Sequence, residues 1–308
     1  VARIDARSLQ QPGPARLCYA GPVFRARPEG LFPFRTPERV GAELYGVPGP
    51  EGDAEVLALM GAVLEAVDAG PVVLELGHVG LCRALLEAAA LPEDRERAVF
   101  DALQRKATAD LDSLLASVED PWASALKLLP KLYGDASVLK TAEQILAPLH
   151  PALGKALEEL RAISSALAER TPGLQVTFDL AELHGYAYHT GAVFSAYAGQ
   201  QGSAVARGGR YDAIGGAFGR ARPATGFDAD LAALLALAPE GASPPGEVPV
   251  IADPASAPSA EARAALPGAV ASLRAEGVRV VMGPGAGSAR LQWNGSTWTL
   301  TPLALEEE

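Results

Sequence analysis

Between His184 and Leu231 the chain reads HGYAYHTGAVFSAYAGQQGSAVARGGRYDAIGGAFGRARPATGFDADL, and few folds accommodate that order of residues. The alternating run Ala192-Val193-Phe194-Ser195-Ala196-Tyr197 meets a turn bounded by Gly199 and Gly202. A second run then leads into Ala206-Arg207-Gly208-Gly209-Arg210-Tyr211-Asp212. This is the pattern of a hairpin followed by a glycine-rich shelf. Because glycine lets a backbone or a ligand approach closely, Gly208-Gly209 and Gly215-Gly216 beside Arg207, Arg210 and Tyr211 read as a pocket floor. Close packing of strands against a helix explains the same glycines equally well.

The segments before this stretch set its surroundings. Arg16 to Arg25 forms a short apolar strand, and residues 26 to 38, with Pro28, Gly30, Pro33 and Pro37, form an excursion loop. Arg39 to Gly46 returns as a strand with Arg39, Gly41, Glu43 and Tyr45 on one face, which places Arg25 and Glu43 in adjacent positions. A surface ion pair is the alternative account of those two residues. Asp53 is read as the cap of an amphipathic helix carrying Val56, Met60, Val63 and Val67, closed by Gly70. Pro71 to Leu76 is a buried strand. Strand, strand, helix, strand points to an α+β fold.

Residues 80 to 170 differ in kind. Helical patterns cover Gly80 to Ala90, Glu93 to Ser117, Trp122 to Tyr133, Ser137 to Leu149 and Pro151 to Arg170, with breaks at Pro92, Pro121, Gly134 and Pro148. Such a block between strand-rich segments reads as a helical insertion, and its charges as solvated faces. Strands resume at Leu174 to Leu180. The organisation expected is a domain over 1–237, a Pro/Gly/Ser-rich linker over 238–247 and a small α/β module over 248–308. That module reads as strand, helix, strand and hairpin. Its Gly283-Pro284-Gly285-Ala286-Gly287 follows a strand, but no helix follows to hold a pyrophosphate, which argues against dinucleotide binding.

Charge and composition narrow the partners. The 308 residues carry a formal net charge of −11, which disfavours a large nucleic-acid partner unless a local basic patch overrides it. No apolar run approaches the roughly 20 residues of a membrane helix. Cys18 and Cys82 are too few for a zinc site or a disulfide framework, and a cytoplasmic setting is expected. The chain opens on Val1 as though entered within an element, so a missing N-terminal portion is expected. Of four histidines, His184 and His189 invite a metal reading. Five residues apart in an extended strand, their rings would point to opposite faces, so no metal is expected. Arg25, Glu43, Tyr188, His189 and the glycine shelf together suit a small zwitterion, with Glu43 opposite an amine and an arginine opposite a carboxylate.

Several motifs in the same order carry a family resemblance. Phe24-Arg25, Gly41-Ala42-Glu43-Leu44-Tyr45-Gly46, Gly185-Tyr186-Ala187-Tyr188-His189-Thr190-Gly191, Ala206 to Asp212 and Pro223-Ala224-Thr225-Gly226-Phe227 resemble the histidyl-tRNA synthetases, which are class II aminoacyl-tRNA synthetases. The resemblance implies an antiparallel sheet flanked by helices, with the helical block in the place of that family's insertion. It also exposes departures. Arg27 stands where motif 2 carries a glutamate, Ala233 where motif 3 carries a phosphate-binding arginine, and His184 where an arginine assists adenylation. Each loss removes stabilisation of a phosphoryl group in transit.

Gly-Tyr-x-Tyr-His-Thr-Gly, Gly219 to Phe227 and Val1 to Asp5 are closer in wording to the regulatory subunits of ATP phosphoribosyltransferase, a noncatalytic branch of the same fold. That resemblance implies a partner, the short-form ATP phosphoribosyltransferase catalytic subunit, together with self-association as a dimer, feedback inhibition by L-histidine, and no cofactor. It implies a histidine site drawn from Arg25, Arg39, Glu43, His184, Tyr186, Tyr188, His189, Gly208, Gly209 and Tyr211. His184 and Arg39 depart even from this group, where arginine and glutamine are usual. An active histidyl-tRNA synthetase and a stand-alone histidine sensor remain the alternatives.

Overall fold

The structure is a computed structural model that describes residues 1–10, 12–24, 36–171, 173–199, 202–237, 250–276, 278–283 and 287–303. The chain divides into two units, Val1–Ala238 and Pro239–Glu308. Arg25, Arg27, the excursion loop up to residue 35 and the linker over 238–247 lie outside the described residues.

The first unit begins with α1 (Ala2–Ile4), which continues as a π-helical turn over Asp5–Leu9. Then come β1 (Ala15–Pro22), β2 (Glu38–Tyr45), α2 (Pro50–Ala66) and β3 (Val72–His78). The helices α3 (Val79–Ala89), α4 (Glu93–Gln104), α5 (Thr108–Leu114) and α6 (Trp122–Leu128) precede a two-residue strand, β4 (Tyr133–Gly134), and then α7 (Ser137–Ile145) and α8 (Pro151–Arg170). The unit closes with β5 (Gln175–Asp179), β6 (Ala192–Ala198), β7 (Ala206–Arg210), β8 (Ala224–Asp230) and α9 (Leu231–Leu235). Its sheet runs β1-β2-β8-β7-β6-β3-β5-β4 and is antiparallel throughout except for the pair β3 and β5. This is the α+β arrangement of a class II synthetase-like sheet flanked by helices.

Burial explains why the helices stay on the sheet. Leu81, Leu85, Leu103, Leu126, Leu157 and Leu160 are fully buried in the same cluster as Leu44, Leu74, Phe178 and Phe194 of the strands. The helical block therefore shares the core of the unit and has no core of its own. Several sequence expectations change, among them the helix expected over Trp122 to Tyr133, which ends at Leu128 and leaves Tyr133 in β4. The helix expected over 93–117 is two helices, parted where Lys106 adopts a φ of 53° and reaches Asp179. The helix expected to start at Asp53 starts at Pro50, with Gly49 as its N-cap, because proline suits the first helical position. Asp53 lies one turn inside it, 3% exposed, and faces Arg210.

The second unit holds β9 (Val250–Ala252), α10 (Ala260–Ala275), β10 (Val280–Met282), β11 (Ala289–Trp293) and β12 (Trp298–Pro302). Its sheet order is β10-β9-β11-β12, and Ala262, Leu266 and Val270 of α10 pack on Leu291 and Trp298. Trp298 Nε1 donates to Ala262 O at 2.8 Å, which pins the hairpin to the helix. Residues 284–286 of the glycine-rich stretch lie outside the described residues, and the next element after β10 is the strand β11. Among the described residues no helix is long and apolar enough to cross a membrane.

Candidate functional site

Strand register places a carboxylate over glycines. Glu43 on β2 stands opposite Gly226 on β8, and Gly226 stands opposite Gly209 on β7. A Cβ at Gly226 would collide with the Glu43 carboxylate, and one at Gly209 would lie 2.6 Å from His189 Cε1. These two glycines form the floor on which Glu43 and His189 lie. A Cβ at Gly208 would strike Phe194 and Gly226 O. At both Gly208, which lines the cavity, and Gly209, which lies beneath His189, a side chain would collide with packed neighbours.

His189 arrives by a tight loop. Gly185 adopts a φ of 62°, a region glycine enters without steric cost, and Tyr188 N and His189 N both donate to Gly185 O. The segment is a turn and not the extended strand expected, so the His184 and His189 rings meet edge to face at 5.5 Å instead of facing apart. Tyr188 packs on His189 at 4.2 Å between ring centroids. His189 Nδ1 faces Arg210 O at 3.2 Å, which assigns the proton to Nδ1. Its Nε2 is buried without a hydrogen-bond partner among the described residues. Burial, with help from His184, lowers the His189 pKa to about 4.

Around these residues lies a cavity of about 690 Å³. Glu43, Tyr188, His189, Gly208 and Tyr211 line it, with Arg207, which the sequence placed beside the glycines, and with Arg3, Tyr19, Tyr45, Phe227 and Asp228, which it did not assign to the site. Tyr211 Oη donates to Glu43 and lies 3.4 Å from Tyr45 Oη, while the Tyr19 hydroxyl also bonds to Glu43. Burial raises the Glu43 pKa to about 7 against these donors. Burial also raises Tyr45 to about 12 and pushes Tyr19 and Tyr211 well above the usual phenol range, so all three stay neutral hydroxyl groups.

Four expected site residues, Arg39, His184, Tyr186 and Gly209, do not line the cavity. Arg39 Nη1 is held 2.8 Å from Asp228 Oδ1, and its Nη2 lies 3.7 Å from Asp230, so its charge is spent on β8. His184 is wedged between Glu182 Oε1, 3.2 Å from Nδ1, and Gly208 O, 3.1 Å from Nε2. Burial works against ionisation of Glu182, but hydrogen bonds from the His184 ring and backbone outweigh it and hold the carboxylate at about 2. Tyr186 packs on Phe100 at 4.6 Å, away from the cavity lining. Gly209 lies beneath His189, and Arg25 lies outside the described residues. Among the described residues, Glu75, Asp179 and Glu182 bring three potential metal-ligand atoms within 4.8 Å of one another, but Lys106 and His184 already hold two of those carboxylates.

Tyr45 was legible in the sequence, two residues beyond Glu43 on the face already named. Tyr19 was not, because its place opposite Gly41 depends on a register set across the excursion loop. Chemically, the cavity offers one readily protonated carboxylate, neutral phenols, an imidazole ring in its wall and guanidinium groups from Arg3 and Arg207. Such a set suits a small polar molecule bearing both N–H donors and an anionic group.

Comparison with known proteins agrees in fold and in family. The family model described as histidyl-tRNA synthetase matches residues 1–234. An ATP phosphoribosyltransferase regulatory subunit from Chromohalobacter salexigens is 47% identical over 283 residues, covering 91% of this chain and 70% of that protein. The crystal structure of an ATP phosphoribosyltransferase regulatory subunit/histidyl-tRNA synthetase from Bacillus halodurans superposes with a TM-score of 0.70 at 29% identity, over 92% of this chain and 71% of that one. A chain of the ATP phosphoribosyl transferase (HisG:HisZ) complex from Thermotoga maritima shares the fold, with a TM-score of 0.58 at 22% identity over 74% of this chain and 77% of that one. The chain belongs to the ATP phosphoribosyltransferase regulatory subunit family, a branch of the histidyl-tRNA synthetase fold.

Proposed function

We propose that this chain is a noncatalytic regulatory subunit that binds L-histidine in the Glu43 cavity and acts on a short-form ATP phosphoribosyltransferase catalytic subunit. It is required for that subunit's activity and conveys inhibition by histidine. The observation that carries this reading is the contrast between recognition and transfer groups. Glu43, Tyr188, His189 and the phenols remain, whereas position 233 is alanine on α9 and position 184 is a histidine held by Glu182 and Gly208 O. Stabilisation of a phosphoryl group in transit needs cationic donors at such places.

In this reading Glu43 accepts from an N–H of the ligand, the His189 ring forms part of the wall, and Arg207 faces the ligand carboxylate. Dimerisation and a cytoplasmic setting belong to the same proposal. The net charge of −11 supports a protein that does not handle tRNA. Histidine can shift the assembly between active and inactive arrangements only by its difference in affinity for the two. The shared name of its relatives and the Thermotoga maritima complex support this choice of partner.

The test is turnover of the catalytic subunit with and without this chain across histidine concentrations. Activation by the chain, with inhibition by histidine that Glu43→Gln relieves, is the expected result. Unchanged activity and unchanged histidine sensitivity would overturn the proposal. Histidine-dependent pyrophosphate exchange by the chain alone would favour an active synthetase instead.

A further inference from the structure

Arg83 on α3 does not line the cavity, yet its guanidinium is directed at the loop that does. Its Nη2 donates to Tyr186 O at 3.2 Å and to His189 O at 3.1 Å. Its Cζ lies 5.0 Å from the centroid of the Tyr186 ring, and the same ring packs on Phe100 of α4. The turn explains why a donor is needed here. Within it, Tyr186 N donates to Leu183 O, and Tyr188 N and His189 N both donate to Gly185 O. The carbonyls of Tyr186 and His189 are turned towards α3, where a backbone acceptor away from water requires a partner. A guanidinium meets two such acceptors in a fixed geometry, which an ammonium on a flexible stem does less well.

We propose that Arg83 is a positioning residue of the cavity: it ties the 184–190 loop to α3 and thereby fixes the directions of Tyr188 and His189. Tyr186 is then the wedge that joins this loop to α3 and α4, which explains why it packs on Phe100 and not on the ligand space. The proposal deepens the reading of the cavity as a ligand site and rests on it, but the placement of the loop can be measured without ligand.

The experiment compares the wild-type chain with Arg83→Met and Arg83→Lys. Amide hydrogen exchange and the ¹⁵N resonances of the His189 imidazole are read in the ligand-free protein, and L-histidine binding is read by calorimetry. In Arg83→Met, exchange over residues 186–190 is expected to quicken by at least about tenfold, and L-histidine affinity to fall by about tenfold or more. The His189 resonances move, the amides of β6 and β7 keep their rates, and Arg83→Lys recovers part of each change. A folded Arg83→Met with unchanged loop exchange and unchanged His189 resonances would overturn the proposal. If Arg83→Met does not fold, Arg83→Lys decides: a local rise in loop exchange supports the assignment and no change refutes it. If the wild type binds no histidine, the ligand-site reading fails while the loop exchange still decides the role of Arg83.

Discussion

Two carboxylates of the same unit are partnered in opposite ways. Asp53 is met by Arg210, whose Nε lies 3.0 Å from Oδ2 and whose Nη2 lies 2.9 Å from Oδ1. The rest of that guanidinium is used on Asp212 Oδ1 at 3.1 Å, Gly49 O at 2.9 Å and Val47 O at 3.4 Å. Glu43 has phenol hydroxyls and a cavity, and no guanidinium bonded to it among the described residues. A buried charge met by a guanidinium holds elements together, here the start of α2 against the end of β7. A carboxylate with neutral donors on one side and open space on the other has capacity left for a ligand. The sequence put Glu43 in the site and read Asp53 as a helix cap, but nothing local in it shows that Arg210 meets Asp53.

Substitutions should pull the two regions apart. The largest effect is expected at Asp53. Asp53→Ala leaves the buried Arg210 guanidinium with the half-exposed Asp212 as its remaining carboxylate partner among the described residues and should cost about 3 kcal/mol in urea unfolding. A loss below about 1 kcal/mol would mean that the pair is not structural and would erase the contrast.

Glu43 should behave in the opposite sense. Its folded pKa of about 7 lies above the ordinary 4.5, so the folded chain holds a proton that the unfolded chain releases between those values. Stability from this group is therefore present below about pH 4.5 and is lost as pH rises through 7. Glu43→Gln removes that loss and should be more stable than wild type by up to about 3 kcal/mol at pH 8, with the two converging near pH 4. A destabilised Glu43→Gln at pH 8 would place Glu43 in the same class as Asp53.

Gly209→Ala tests the floor of the cavity. The added methyl presses on His189 and should cost about 1–3 kcal/mol while displacing the imidazole, visible in its ¹⁵N resonances. The smallest effect is expected at Arg97, which pairs with Glu93 on an open face of α4. Arg97→Ala should leave the unfolding midpoint unchanged, as for most exposed pairs.

How far the sequence reached follows from which physical signals are local. The face shared by Arg39, Gly41, Glu43 and Tyr45 follows from a period of two, and the hairpin into Gly208-Gly209 from alternation and glycine placement. Motif order carried the family resemblance. What escaped depended on register or on a turn. Tyr19 reaches Glu43 through its place opposite Gly41, and Asp228 through its place opposite both Gly41 and Arg207. The meeting of His184 and His189 depends on one left-handed glycine. Arg39 carried the right charge for the cavity, but the acids beside it on β8 were visible only once that strand was placed.

Calorimetric titration of L-histidine into the chain, repeated with Glu43→Gln, tests most directly whether the Glu43 cavity is a retained ligand site. Saturable binding to the wild type, accompanied by proton exchange near pH 7 and weakened by about tenfold or more in Glu43→Gln, is the expected result. Absence of binding to the wild type, or equal affinity in Glu43→Gln, would contradict it.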